Sequence, residues 1–140
     1  MLLLYKSCPR CGKRIEVGTK CNCQNKRYKE EDKYKRESRE KKFYSSVAWQ
    51  RVRAKAINRY NGLDIYSYYI FQRIEIGQTV HHIIPVKECW AKRFDVNNLI
   101  YLTEENHQRI HKLMRESDSN EVKTMLKTLI VKFCLEFGKK

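Results

Sequence analysis

The sequence has no apolar run long enough to cross a bilayer; a spanning helix needs about 20 consecutive apolar residues. A membrane protein built on spanning helices is therefore excluded. The first residues, "MLLLY", lack the basic stretch and small-residue cleavage site of a secretory leader, so export is not expected. A cytoplasmic protein is the expectation. Free thiols and metal thiolates persist there, and disulfides do not. No internal repeat is present. Apolar residues make up only 41% of the 140 positions, while charged residues reach 33%, so part of the chain must be solvated or held by something other than a hydrophobic core. Acidic residues are few against basic ones, 16 to 30, for a net charge of +14. That excess favours a polyanion, DNA or RNA, through phosphate contacts and counterion release. An anionic membrane surface is disfavoured, because no long basic amphipathic helix is present. Histidine is scarce too. There are four, and two are adjacent in "TVHHIIP", Thr79 to Pro85, inside an apolar run.

Composition separates three segments. Residues 1–24 hold four of the six cysteines. Residues 25–42 are a basic, charged linker with almost no aliphatic side chain. Residues 43–140 regain regular apolar spacing and form the main domain. The linker can be helical, because Lys26 and Glu30, Glu31 and Lys35, Asp32 and Arg36, Lys33 and Glu37, and Glu37 and Lys41 stand at i,i+4. With no apolar face it is a spacer, a solvated linker or a partner-binding rod.

In the main domain, Ser45 or Ser46 caps a helix whose stripe is Trp49, Val52, Ala56 and Tyr60, with Arg51, Lys55 and Arg59 as a basic row away from it. Asn61-Gly62 ends it. A hairpin is expected next, with strands near Arg73–Ile76 and Thr79–Ile84 around a turn at Gly77-Gln78. "NNLIYL" reads as a short strand or extended segment. Thr103 caps a helix over Glu104–Arg115, and Asp118 with Glu121 opens a last, packing helix ending near Gly138. Cys89 and Cys134 read as ordinary core or surface residues.

"CPRCGKRIEVGTKCNC" sets Cys8 and Cys11 two residues apart, then Cys21 and Cys23 one residue apart after a gap of nine. Four thiolates suit tetrahedral zinc. Gly12 permits the turn that aims backbone amides at the sulfurs. Disulfides and unlinked thiols are the competing readings. A structural zinc ribbon or knuckle is preferred, since so short a segment cannot bury a core by itself.

His107 and His111, in "TEENHQRIH", fall on one helix face at i,i+4. With a third imidazole from a strand they make a three-ligand site with open positions, the pattern of a catalytic metal. Neighbouring strand residues point to opposite sides. Of His81 and His82, one can therefore ligate while the other takes a proton from water. The bland reading is surface or hydrogen-bonded core histidines.

"VHHIIPVKECWAKRFDVNNLIYLTEENHQRIH", Val80 to His111, resembles the HNH, or His-Me finger, endonuclease motif of bacteriophage and prophage proteins. "FYSSVAWQRVRAKAINRYNG" is similar to the helix that precedes it there, and an amino-terminal cysteine knuckle also occurs. The resemblance implies an α+β fold: a ββα-metal core with flanking helices and a small zinc ribbon or knuckle. It implies His82 as general base, His81, His107 and His111 as ligands of one divalent metal (Mg, Mn, Ni or Zn), and Asn98 as the residue that pins the loop and orients the base. It implies hydrolysis of DNA phosphodiester bonds, one strand per event. Arg51, Lys55, Arg59, Arg109 and Lys112 would contact the backbone of double-stranded DNA. Terminase and portal proteins are candidate partners if the role is phage DNA packaging; a mobile-element role is the other option. A monomer or weak dimer is expected. Many relatives carry Asp where this chain has His81, and a second structural zinc at places that here hold Asp64, Ser67, Thr103 and Asn106. The aromatic cluster Tyr66, Tyr68, Tyr69 and Phe71 is a candidate to fill that place. The rival functions are a non-catalytic zinc-ribbon nucleic-acid-binding or adaptor protein, and a zinc-ribbon RNA-binding protein whose histidines hold a structural metal.

Overall fold

The computed structural model describes residues 3–138, without the side chains of Gln24, Asn25 and Arg27; residues 1–2 and 139–140 of the outer segments lie outside the described residues. The chain divides into two compact units, Met1–Phe43 and Tyr44–Lys140.

The first unit opens with an antiparallel ribbon, β1 (Tyr5–Ser7) and β2 (Arg14–Glu16), with Tyr5 opposite Glu16. Strands this short bury little. Leu3, Leu4, Tyr5 and Val17 stay exposed around the ribbon, whereas Cys8 and Cys21 are buried. Sulfur, not hydrocarbon, forms its centre. The charge run follows as one continuous helix, α1 (Cys23–Tyr44). Its surface pairs, such as Lys33 with Glu37 at 3.8 Å, contribute a few tenths of a kcal/mol each.

The second unit begins with α2 (Val47–Arg59), whose cap Ser46 accepts a hydrogen bond from Trp49 N at 3.1 Å. Asn61 takes the left-handed backbone, φ 54°, and turns the chain. The expected hairpin does not form. Ser67–Phe71 is a π-helical turn, and in the 73–76 stretch Ile76 makes an isolated bridge to Leu63. Instead β3 (Thr79–His82) pairs antiparallel with β4 (Leu99–Leu102), Thr79 opposite Leu102 and His82 opposite Leu99. Burial decides the choice. Ile74 and Ile76 are each 78% exposed, while all four β4 residues are buried. A strand is specified where its faces can be covered. Gly77 admits this path, because a Cβ there would lie 2.4 Å from the Tyr101 ring.

After β4 comes α3 (Glu104–Glu116), capped by the Thr103 hydroxyl on Asn106 N. Asp118 caps α4 (Ser119–Phe137), which buries Val122, Leu126, Leu129, Ile130 and Phe133 as one stripe. That stripe packs with Tyr60, Ile65, Ile83, Ile100 and Ile110 in a single core; each fully buried aliphatic side chain stabilises by roughly 1.5–3 kcal/mol. The unit is a ββα motif of β3, β4 and α3 with α2 and α4 packed around it. Among the described residues no helix is long and apolar enough to cross a membrane.

Candidate active site

Strand alternation sends the two adjacent histidines to opposite faces of β3. His81 faces α3. Its ring centroid lies 5.3 Å from that of His107 and 5.0 Å from that of His111. The α3 pair, one turn apart, brings its Nε2 atoms to 2.9 Å. One ring nitrogen from each of the three lies within 4.8 Å of the others. His81 is buried, and its Nε2 has no hydrogen-bond partner among the described residues. A buried polar atom without a partner costs about 1–3 kcal/mol. Three imidazoles that converge around such an atom fit a divalent cation. Burial, then the neighbouring His111 and His107, push the His81 imidazole down to about 3, so it is held in the neutral form, the form able to bind a metal.

Glu104, the first residue of α3, backs one member of this set, His107. Its Oε1 lies 3.4 Å from His107 Nδ1 and accepts from Gln108 Nε2 at 2.7 Å, while Thr79 Oγ1 donates to its Oε2 at 2.8 Å. The hydrogen bonds from Gln108, Thr79 and His107 hold its carboxyl down at about 2. A carboxylate on Nδ1–H leaves the Nε2 lone pair as the one that could bind a metal.

His82 faces α2. Its Nε2 is 3.0 Å from the carbonyl of Arg93. A carbonyl can only accept, so Nε2 carries the hydrogen, and the neutral ring has its lone pair on Nδ1. Burial lowers its pKa, against the Arg93 carbonyl, which raises it. The ring stacks on Trp49, centroids 5.0 Å apart, and meets the edge of Tyr44 at 6.1 Å. Helical spacing placed Trp49 in the core but carried no sign of this contact. Asn98 is buried beside the same loop. Its Oδ1 accepts from Ile84 N at 2.8 Å, and its Nδ2 donates to Ile84 O at 3.0 Å and Lys92 O at 3.4 Å. One side chain thus ties Ile84, just past β3, to the residue next to Arg93.

In the first unit Cys8, Cys11, Cys21 and Cys23 converge, with Cys8 Sγ 3.6 Å from Cys23 Sγ and Cys11 Sγ 3.5 Å from Cys21 Sγ. Zinc–sulfur bonds of about 2.3 Å in a tetrahedron give sulfur separations near 3.8 Å, so the cluster fits a zinc knuckle with little adjustment. Gly12, at φ 72°, donates its N–H to Cys8 O. The backbone amides of Cys11 and Arg10 pull the Cys8 thiol down to about 6. Cys23 is pushed up to about 12, first by its hydrogen bond with Cys21.

Asp64, Ser67, Thr103 and Asn106 also meet. Asp64 Oδ1 accepts from Ser67 N at 2.9 Å, and its Oδ2 accepts from Thr103 N and Asn106 Nδ2, both at 2.7 Å. Asn106 Nδ2 also reaches Ser67 Oγ at 2.7 Å. A polar network thus links these positions; of the aromatic cluster, Tyr66 packs on Phe71, and Tyr68 on Tyr69 and Phe137. The basic candidates are spread out. Arg51 and Lys55 are exposed on α2, and Lys112 on α3. Arg59 is half-buried, donating to Asn97 Oδ1 at 2.8 Å and Cys134 Sγ at 3.1 Å. Arg109 donates to Asn106 Oδ1 at 2.7 Å and lies over the Phe71 ring.

No family model matches the chain, and no curated protein matches it. Among solved structures, it is similar to the HNH endonuclease of the deep-sea thermophilic bacteriophage GVE2, determined with manganese ion, at 32% identity and a TM-score of 0.58. The match spans 62% of this chain and 94% of that one. A likeness that takes in nearly the whole of that nuclease at this identity extends beyond shared architecture: the chain belongs to the HNH endonuclease family.

Proposed function

We propose that this protein is a metal-dependent endonuclease that hydrolyses phosphodiester bonds of double-stranded DNA. The observation that carries the reading is the division of labour across β3: His81 turned to His107 and His111, and His82 turned to the loop that Asn98 holds. Membership of the family and the net charge of +14 support it.

His81, His107 and His111 would hold one divalent ion. Three nitrogen donors suit Zn²⁺, Ni²⁺, Co²⁺ or Mn²⁺ better than Mg²⁺, and manganese accompanies the GVE2 enzyme. When bound, the ion supplies positive charge against the charge developing on the phosphate and leaving oxygens. His82 moves the proton. Its Nδ1 takes a proton from water as the water oxygen bonds to phosphorus, and the bond from phosphorus to the 3′ oxygen breaks on the opposite side. The Arg93 carbonyl, hydrogen-bonded to Nε2–H, fixes the tautomer and stabilises the imidazolium that results. Asn98 keeps that carbonyl in place. Arg51, Lys55, Arg59, Arg109 and Lys112 would meet backbone phosphates, which position a duplex without reading its sequence. One ion cuts one strand per encounter, so the product is a nick. The four cysteines would hold a structural zinc.

A role in phage DNA packaging, with terminase or portal proteins as partners, is the biological setting we favour; it rests on the phage origin of the GVE2 enzyme and is tested by co-purification with those proteins.

The deciding experiment incubates supercoiled plasmid with the protein across Mg²⁺, Mn²⁺, Ni²⁺, Zn²⁺ and EDTA. Metal-dependent conversion to open circle is the expected result. Folded protein that shifts DNA but converts none with any ion would be a binding module instead.

A further inference from the structure

Asp64 is a carboxylate with no solvent exposure, 0%, and it lies outside the imidazole cluster. Burying a charge is costly unless it is fully hydrogen-bonded. Here the bonds have a direction. One joins it to Ser67 N in the π-helical turn. The other two come from the start of α3: Thr103 N, at the cap, and Asn106 Nδ2, in the first turn. Hydrogen bonds to a charged acceptor are the strong ones, and an anion at a helix N-terminus also matches the helix dipole. His107 is the residue after Asn106, and His111 lies one turn further on. An α-helix is stiff over this distance, so whatever fixes the rotation of its first turn fixes where both imidazoles point.

We propose that Asp64 is the positioning residue for the α3 ligand pair, setting the rotation and depth of the helix so that His107 and His111 meet His81. The inference rests on the metal-site reading above. Asp64 does not touch the ion. It acts through Thr103 and Asn106, and Asn106 passes the constraint on to Ser67 Oγ, which hydrogen-bonds Glu75 in turn. A buried polar network of this kind keeps its geometry only while every member is satisfied.

The test titrates the full chain with Mn²⁺ alone, following loss of the free-ion electron paramagnetic resonance signal; the soft thiolate cluster disfavours this hard ion. Wild type, His107→Ala, Asp64→Asn and Asn106→Ser are compared at a temperature where circular dichroism shows each to be folded. Removing a group that orients a ligand typically costs 10–100-fold in metal affinity. The expected result is at least a roughly tenfold rise in Kd for Asp64→Asn and a smaller rise for Asn106→Ser, which keeps the Thr103 bond. In both variants plasmid conversion should recover as Mn²⁺ is raised, because the site is loosened rather than removed; conversion that stays low at every Mn²⁺ concentration would overturn the proposal. If His107→Ala loses Mn²⁺ but Asp64→Asn and Asn106→Ser bind like wild type, the positioning role is wrong. If His107→Ala itself binds like wild type, the metal-site reading fails first. Should Asp64→Asn not fold, Asn106→Ser decides alone, and an unchanged Kd there overturns the proposal.

Discussion

The imidazole of His82 lies against the indole of Trp49, ring centroids 5.0 Å apart and planes 24° from parallel. The contact covers one face of the ring, while the Arg93 carbonyl fixes its Nε2. Trp49 therefore bears on the proposed base as well as on the core. Replacing it with alanine is expected to cost about 3–5 kcal/mol of stability and to lower plasmid conversion further than the unfolded fraction explains. Trp49→Phe should recover much of both. Urea melts alongside nicking rates would check this, and wild-type activity in folded Trp49→Ala would remove the residue from the site.

His82→Ala should retain Mn²⁺ binding and lose about 10²–10⁴-fold in the rate of nicking, the range for loss of a general base. His81→Ala should do the opposite and lose the ion. Equal activity in wild type and His82→Ala would assign the proton transfer elsewhere.

Asn98→Ala deletes three hydrogen bonds and leaves the backbone groups of half-buried Ile84 without this partner. A fully buried orphan group costs about 1–3 kcal/mol, and these half-buried ones cost less. Both a lower thermal midpoint and slower nicking are expected. An unchanged rate in a destabilised protein would make Asn98 a structural residue alone.

Metal-free protein should weaken in acid. Burial, then the nearby His111 and His107, depress His81 to about 3 from an ordinary 6.5, and His82 and His111 shift the same way through burial. Between those two values the unfolded chain binds a proton that the folded chain does not. Stability therefore falls as pH falls from about 6.5 toward 3, by up to about 1.4 kcal/mol per pH unit for one such histidine. Above that window these groups add no pH dependence. Urea midpoints in EDTA at several pH values, read by tryptophan fluorescence, would show it; a midpoint flat from neutrality to pH 4 would contradict it.

Cys8→Ser should abolish zinc at the knuckle, read as a loss of one equivalent by native mass spectrometry. Undiminished zinc in that variant would mean that the four sulfurs are not a single site.

Local spacing made much of the site legible. His107 and His111 share a face because four residues make about one helical turn, and His81 and His82 diverge because a strand alternates; neither inference needs a partner element. The charge run of α1 and the Thr103 and Asp118 caps are equally local. What pairs with Thr79–His82 is not local. The β-branched stretch at Arg73–Ile76 offered the nearer strand, yet its isoleucines have nothing to cover them, and the chain closes on Leu99–Leu102 instead. Trp49 failed to stand out for a related reason: periodicity says that a side chain is buried, never what it is buried against. Glu104 was hidden by a sufficient simpler role at a helix start.

The pairing of β3 with β4 holds more than a sheet together. Side chains along a strand alternate with a period of two, so sliding β3 by a single residue would swing His82 toward His107 and His111 and leave His81 beside Trp49. The chemistry of this chain is thus written in a reading frame. An insertion or deletion within Thr79–His82 that shifts this register is a frameshift in space: it would exchange the proposed ligand for the proposed base while every residue of the motif is still present.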